Sequence, residues 1–196
     1  IKNAKYPIVD VGAHAGFFSL YCRSLNKKAK IFAIEPEPRN LKALKNHIKI
    51  NKILGIEVVA GALARESGNR ELVIADDSHN HTLAEVEFGS NPNEGNDRPF
   101  LKVKAISFSD LCKQHKIKKI SLLKLDIEGG EYEVFADMSE ADFAIVNYII
   151  LEYHMGREKS EEIEEKLRIN GFTVQVFPSK FDNTMGFIFA HNKRFA

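Results

Sequence analysis

The stretch IVDVGAHAGFFSL, residues 8–20, decides how the rest of the chain is read. An apolar run (Ile8, Val9, Val11) leads into the small residues Gly12, Ala13 and Gly16, then into an apolar, helix-compatible segment. This is the pattern of a buried strand, a tight turn and a helix whose N-terminus faces a ligand. Glycine lets the backbone turn sharply and approach a ligand closely. The free N–H groups of a helix start attract an anionic group. The turn reads D-x-G-x-H-x-G and lacks the central glycine of the dinucleotide fingerprint. His14 stands where a pyrophosphate would need close backbone approach. A ligand with a carboxylate for the helix start and an ammonium for Asp10 suits this turn better.

Working outward, Lys30 to Glu35 (KIFAIE) is a second short strand, stopped by Pro36 and Pro38, and Arg39 to Asn51 is a helix with Leu41, Leu44 and Ile48 on its buried stripe. Gly55 to Ala60 is a third strand, followed by Gly61-Ala62-Leu63. Strand, helix, strand, helix, strand implies a parallel sheet with right-handed crossovers. Two strand-like runs, Arg70 to Ala75 and Phe100 to Ala105, break that rhythm and read as an antiparallel pair at a sheet edge or rim. The polar stretch between them, residues 76–99, contains His79 and His81 and reads as a long loop or lid.

Ser107 opens the next helix with a capping box completed by Asp110. Ile120 to Asp126 (ISLLKLD) is a buried strand, turning through Gly129-Gly130 into another helix, and Ala144 to Tyr153 is the strand after it. Ser160 is expected to cap a helix running to Asn170 and ended by Gly171. Phe172 to Phe177 and Gly186 to Ala190 read as a closing antiparallel hairpin around Asp182-Asn183.

The 196 residues suit one domain, 1–196, and composition is that of an ordinary globular protein, with 44% hydrophobic and 28% charged residues. A net charge of +1 supplies no global basic field toward nucleic acid or an anionic membrane. The two cysteines, Cys22 and Cys112, sit in no metal-ligand spacing, which points to a reduced, cytoplasmic protein. The chain starts at Ile1 rather than Met and reaches its first strand within seven residues, which points to a missing N-terminal segment.

In an open α/β sheet, ligands bind outside the carboxyl ends of the strands. Those ends carry Asp10 to Gly16, Glu35, Gly61-Ala62, Asp126 with Glu128, and Glu152 with His154. Glu35 follows Gly16 by 19 residues, and a carboxylate there can accept hydrogen bonds from both hydroxyls of a ribose. Asp126 ends a buried run and should face the cationic end of a ligand or the reaction centre, unless it caps the next helix. Lys124 shares its strand face and is read as its ion-pair partner rather than as a catalytic group. Glu128, Glu131, Glu152 and His154 could supply a general base or orient a hydroxyl. They are also suitable ligands for a divalent metal, but no tight spacing supports one, so no metal is expected.

The residues resemble the FkbM family of S-adenosylmethionine-dependent methyltransferases. The likeness rests on VDVGAHAGFFSL at 9–20 and LLKLDIEGGEYEVF at 122–135, with support from AIEPEPRN at 33–40, GALARESG at 61–68 and VKAISFSDL at 103–111. It implies a Rossmann-like class I methyltransferase fold, a three-layer α/β/α sandwich. Its seven-stranded, mostly parallel sheet would run 3-2-1-4-5-7-6 with an antiparallel C-terminal strand, plus the inserted pair near 70–105. The resemblance implies that Asp10, Gly12, Ala13, His14 and Gly16 hold the methionine part of S-adenosyl-L-methionine and Glu35 the ribose. Phe17 and Pro36 join the cofactor-binding set, and Gly61, Ala62 and Leu63 lie near the adenine. Asp126 and Glu128 border the methyl group, and with His154 they are the catalytic candidates. The acceptor implied is a hydroxyl of a small molecule or glycan, with neither nucleic acid nor membrane as partner. Two alternatives share the strand–turn–helix: an NAD(P)-dependent oxidoreductase, and a non-catalytic binding domain of the same fold.

Overall fold

The computed structural model describes residues 1–73, 82–83 and 100–195, and in it the opening stretch forms Ile8–Val11 (β1), a turn, and Phe17–Leu25 (α1). Ile31–Glu35 (β2), Pro38–Ile50 (α2) and Ile56–Ala60 (β3) follow. Four strands come next: Ala62–Leu63 (β4), Gly68–Val73 (β5), Thr82–Leu83 (β6) and Phe100–Ile106 (β7). After Phe108–Gln114 (α3) the chain forms Ile120–Leu125 (β8), Glu131–Asp137 (α4), Glu140–Ala144 (α5) and Val146–Tyr153 (β9). Arg157–Ile169 (α6), Phe172–Pro178 (β10) and Gly186–Asn192 (β11) complete it.

Seven strands form the main sheet in the order β3-β2-β1-β8-β9-β11-β10. Counted along the chain within that sheet, this is the expected 3-2-1-4-5-7-6. The pairs β1–β2, β2–β3, β1–β8 and β8–β9 are parallel, and β11 runs antiparallel to both its neighbours. Alternation along β1 divides the core between two layers. Ile8 packs toward Cys22 and Phe18 of α1, while Val9 and Val11 join Leu111 of α3, Val134 and Phe135 of α4, and Leu167 of α6. Leu44 of α2 closes on Ala13 and Ala33.

The inserted strands are antiparallel to each other, Gly68 to Val73 against Ala105 to Phe100, but they form a separate four-stranded sheet in the order β4-β7-β5-β6. Ala62, Leu72 and Val103 give that sheet its own apolar cluster, while Leu63 of β4 and Ile106 of β7 pack into the main core. Of the stretch read as a lid, only Thr82–Leu83 is described, and His79 and His81 lie outside the described residues. The capping box at Ser107 closes through a third residue. Asp110 N–H donates to Ser107 Oγ (3.2 Å), but the Asp110 carboxylate takes the Ser67 hydroxyl (2.5 Å), and Ser107 N–H donates to Ser67 Oγ (3.0 Å). Helix α6 begins at Arg157 rather than after Ser160. Its start is set by Gly156, whose N–H donates to Thr184 O across the hairpin (2.8 Å), and Ser160 is buried inside the first turn with its hydroxyl on Arg157 O.

Candidate active site

A cleft of about 320 Å³ opens at the carboxyl ends of β1, β2, β8 and β9. One wall is Gly12, His14, Glu35, Pro36 and Asn40, and Gly61, Ala62, Leu63 and Leu72 make an apolar side. The far end is Asp126, Ile127, Glu128 and Glu152, with Met185 from the β10–β11 hairpin. Among the described residues that line it, three of the four carboxylates gather at that far end and there is no lysine or arginine.

The glycines of the turn are required by the protein's own packing. Gly12 has φ +73°, and a Cβ there would lie 1.9 Å from the Asp126 carbonyl oxygen. Gly16 has φ +89°, and a Cβ would lie 2.3 Å from a methyl of Leu44. The first glycine lets the β1 turn pass over the end of β8, and the second lets α2 close against the start of α1. No side chain caps α1 at Gly16. His14 takes a left-handed conformation (φ +49°), and its N–H donates to Glu35 Oε2 at 2.8 Å. Glu35 Oε1 accepts from Glu37 N–H (2.9 Å) and from the Asn40 amide (3.3 Å). Glu35 is thus bound to three donors while only 4% exposed. Burial raises its pKa, and these hydrogen bonds oppose the shift. A carboxylate offers about four acceptor positions, so this one keeps room for a ligand hydroxyl.

The acid end is organised differently. Asp10 is fully buried, accepts from the Ser19 hydroxyl (2.7 Å) and lies 3.5 Å from Lys124 Nζ. Burial raises its pKa against the opposing effect of Lys124 and Ser19. Lys124 also pairs with Asp126 (3.2 Å) and donates to the carbonyls of Gly12 (3.0 Å) and Val11 (3.3 Å). It is therefore the ion-pair partner that the shared strand face suggested. Glu131, fully buried, accepts from the N–H groups of Ile127 (2.8 Å) and Gly129 (2.9 Å) and so fixes the turn that carries Glu128 at φ +54°.

His154 sits between two acids, Nε2 3.3 Å from Glu128 and Nδ1 3.4 Å from Glu131, the second an ion-pair contact without hydrogen-bond geometry. The Tyr132 hydroxyl donates to the His154 carbonyl. Burial disfavours the imidazolium, but Glu131, Glu128 and Glu152 outweigh it and raise the His154 pKa to about 9. Burial raises the pKa of Glu128, against the opposing effect of His154, and burial together with Asp126 raises that of Glu152. Glu152 makes no ion pair among the described residues, unlike Asp126 and Glu128.

Of the anticipated site residues, Gly12, His14, Glu35, Pro36, Gly61, Ala62, Leu63, Asp126 and Glu128 line the cleft. Asp10, Ala13 and Gly16 lie behind that surface, and Phe17 is 69% exposed on α1, tilted against the His47 ring. His154 stands behind Glu128. Asn40, Leu72 and Met185 also line the cleft and were not anticipated. Asn40 was within reach of sequence reasoning, as a polar residue on the turn of helix that follows the Glu35 strand end.

The family model described as Methyltransferase FkbM domain matches residues 10–174. The chain is 26% identical over 192 residues to 31-O-demethyl-FK506 methyltransferase FkbM of Streptomyces tacrolimicus, covering 85% of this chain and 72% of that protein. It is 29% identical over 147 residues to hexuronic acid methyltransferase AglP of Haloferax volcanii, covering 75% of this chain and 55% of that one. Among solved structures, Methyltransferase FkbM from Methylobacillus flagellatus KT superposes with a TM-score of 0.63 at 13% identity, over 96% of this chain and 45% of that one.

Proposed function

Because the chain belongs to the FkbM methyltransferase domain family, and so is an S-adenosylmethionine-dependent methyltransferase, we propose that it O-methylates a hydroxyl of a small molecule or glycan. The observation that carries this reading is the cleft's charge pattern. Among the described residues its lining carries Glu35, Asp126, Glu128 and Glu152 and neither lysine nor arginine. Such a lining suits a cofactor with a sulfonium and an ammonium, and it repels the pyrophosphate of a nicotinamide dinucleotide. S-adenosylmethionine, when bound, supplies a methyl group already activated on sulfur.

Glu35 accepts from one ribose hydroxyl through the capacity left after His14, Glu37 and Asn40. Gly12 and His14 present backbone to the amino-acid end. Gly61, Ala62 and Leu63 form the adenine wall, with Leu72 beside them. Asp10 acts one layer back, by holding Lys124. Asp126 and Glu128 face the reaction centre and orient the acceptor. Glu152 takes the hydroxyl proton, since it makes no ion pair among the described residues and burial with Asp126 raises its pKa against the opposing effect of His154 and Lys124. His154, whose pKa Glu131, Glu128 and Glu152 raise to about 9, orients Glu128. Alignment of acceptor oxygen against the methyl carbon supplies a large part of the rate. The relative named for 31-O-demethyl-FK506 supports an oxygen acceptor on a small molecule, and the relative named for a hexuronic acid supports a sugar.

Calorimetric titration of the protein with S-adenosylmethionine and, separately, with NAD tests the reading. Saturable binding of the first and none of the second is expected. The reverse result overturns it.

A further inference from the structure

Asp126 at the end of β8, Glu128 in the turn beyond it and His154 after β9 come from three places in the chain. Each offers one ligand atom, and those atoms lie within 4.8 Å of one another. The set mixes two carboxylates and an imidazole, a combination that divalent first-row ions accept. A second, separate observation lies behind the histidine. Glu131 is fully buried, is locked by two backbone N–H groups, and stands 3.4 Å from His154 Nδ1. Nδ1 faces that fixed carboxylate at ion-pair distance, and Nε2 is the nitrogen turned to Glu128. A carboxylate behind one ring nitrogen and an open cluster before the other is the arrangement by which proteins orient a metal-binding histidine.

Charge points the same way. Among the described residues, the cations that face Asp10, Asp126, Glu128, Glu131 and Glu152 are Lys124 and His154, and Lys124 is already shared between Asp10 and Asp126. Half-buried carboxylates in excess of their cations are costly, and a dication offsets that excess.

We propose that Asp126, Glu128 and His154 form a site for a divalent cation of the Mn²⁺ or Mg²⁺ class, at the acceptor end of the cleft, with Glu131 as the positioning residue for His154. Three protein ligands leave coordination positions open for water and for the acceptor oxygen. Binding of the ion needs only these residues, but its role in fixing the acceptor hydroxyl rests on the methyl-transfer reading above. In that role the ion would hold the acceptor oxygen in place, and the hydroxyl proton would pass to Glu152, which is not a ligand. The oxygen would form its bond to the methyl carbon as the carbon–sulfur bond breaks, the electron pair of that bond staying on the thioether sulfur of S-adenosylhomocysteine.

The test uses metal-stripped full chain and MnCl₂, followed by calorimetry and by loss of the free Mn²⁺ paramagnetic resonance signal. S-adenosylmethionine binding is measured in parallel on every sample. One Mn²⁺ site is expected. His154→Gln and Glu128→Gln should each weaken it by about tenfold or more, and Glu131→Gln by about 10–100-fold, with Glu131→Asp restoring part of the loss. Thermal melts identify any variant that has unfolded, and the remaining ones decide. No Mn²⁺ or Mg²⁺ binding at millimolar concentration, or binding unchanged in both His154→Gln and Glu128→Gln, overturns the proposal and leaves an ion-pair cluster. Loss of S-adenosylmethionine binding in the wild-type protein instead overturns the methyl-transfer reading, and the cation site still stands or falls on its own titration.

Discussion

The two ends of the cleft solve the problem of a buried carboxylate in opposite ways. At one end Glu35 is satisfied by two backbone N–H groups and an amide, all from residues 14–40. At the other, Asp10, Asp126 and Glu128 lean on Lys124 and His154, from strands far apart in the chain. Neutral donors fix a carboxylate in place and leave it able to take a neutral hydroxyl. Charged partners make a cluster whose balance depends on what binds. The first end is built to hold a ligand, the second to respond to one.

The largest effect expected is on the joint between the ends. Gly12 belongs to the Glu35 turn, yet its missing side chain makes room for the Asp126 carbonyl. Gly12→Ala forces a methyl into 1.9 Å of space at a left-handed φ. A stability loss of about 4 kcal/mol is expected, seen as a melting temperature lower by roughly 10 °C. If the two ends were independent, this variant would impair cofactor binding alone and melt normally.

Glu152→Gln separates the ends by function. Loss of the proton acceptor should lower kcat by about 10²–10⁴-fold, with the S-adenosylmethionine Kd unchanged by calorimetry. Glu35→Gln is the reciprocal variant. It exchanges one carboxylate oxygen for an amide group that cannot accept, at a site ringed by donors, so cofactor affinity should fall by about 10–100-fold, the worth of a charge-assisted hydrogen bond. The kcat at saturating cofactor should change much less. Both variants acting equally on Kd and on kcat would dissolve the distinction.

The same contrast governs how much could be read from the sequence. The sheet order follows from strand–helix rhythm and from two motifs, 9–20 and 122–135, and the Glu35 end follows because its parts are close in sequence. The acid residues themselves could be named, since strand ends are where carboxylates matter. Their pairing could not. Whether Glu128 or Glu152 carries a cation depends on β8 lying beside β9 and on the turn that Glu131 fixes. Leu72 and Met185 reach the cleft from the second sheet and from the last hairpin, and no local pattern announces that. Helix α6 shows a local preference overridden: Ser160 is a good capping residue, but the hydrogen bond from Gly156 to Thr184 starts the helix earlier. The lid reading at 76–99 falls largely outside the described residues.

The smallest effect asks whether the two layers beneath these ends open together. Cys22 lies under β1 on the α1 side, and Cys112 lies in the opposite layer with α3. Burial pushes both thiols up to about 12, with Asp10 adding to the first and Asp142 to the second. An unfolded thiol ionises near pH 8.5. Between about 8.5 and 12 the unfolded chain has therefore lost protons that the folded chain keeps, and stability falls as pH rises through that window. Below it the two states hold the same thiol protons and the effect vanishes. Alkylation at pH 8 should be slow at both cysteines in the native protein, and both should become reactive at the same denaturant concentration. Peptide mapping after a short iodoacetamide pulse reads each site separately. If Cys22 reacts at lower denaturant than Cys112, the layer supporting the Glu35 turn opens first, and the rigid end of the cleft is the less stable one.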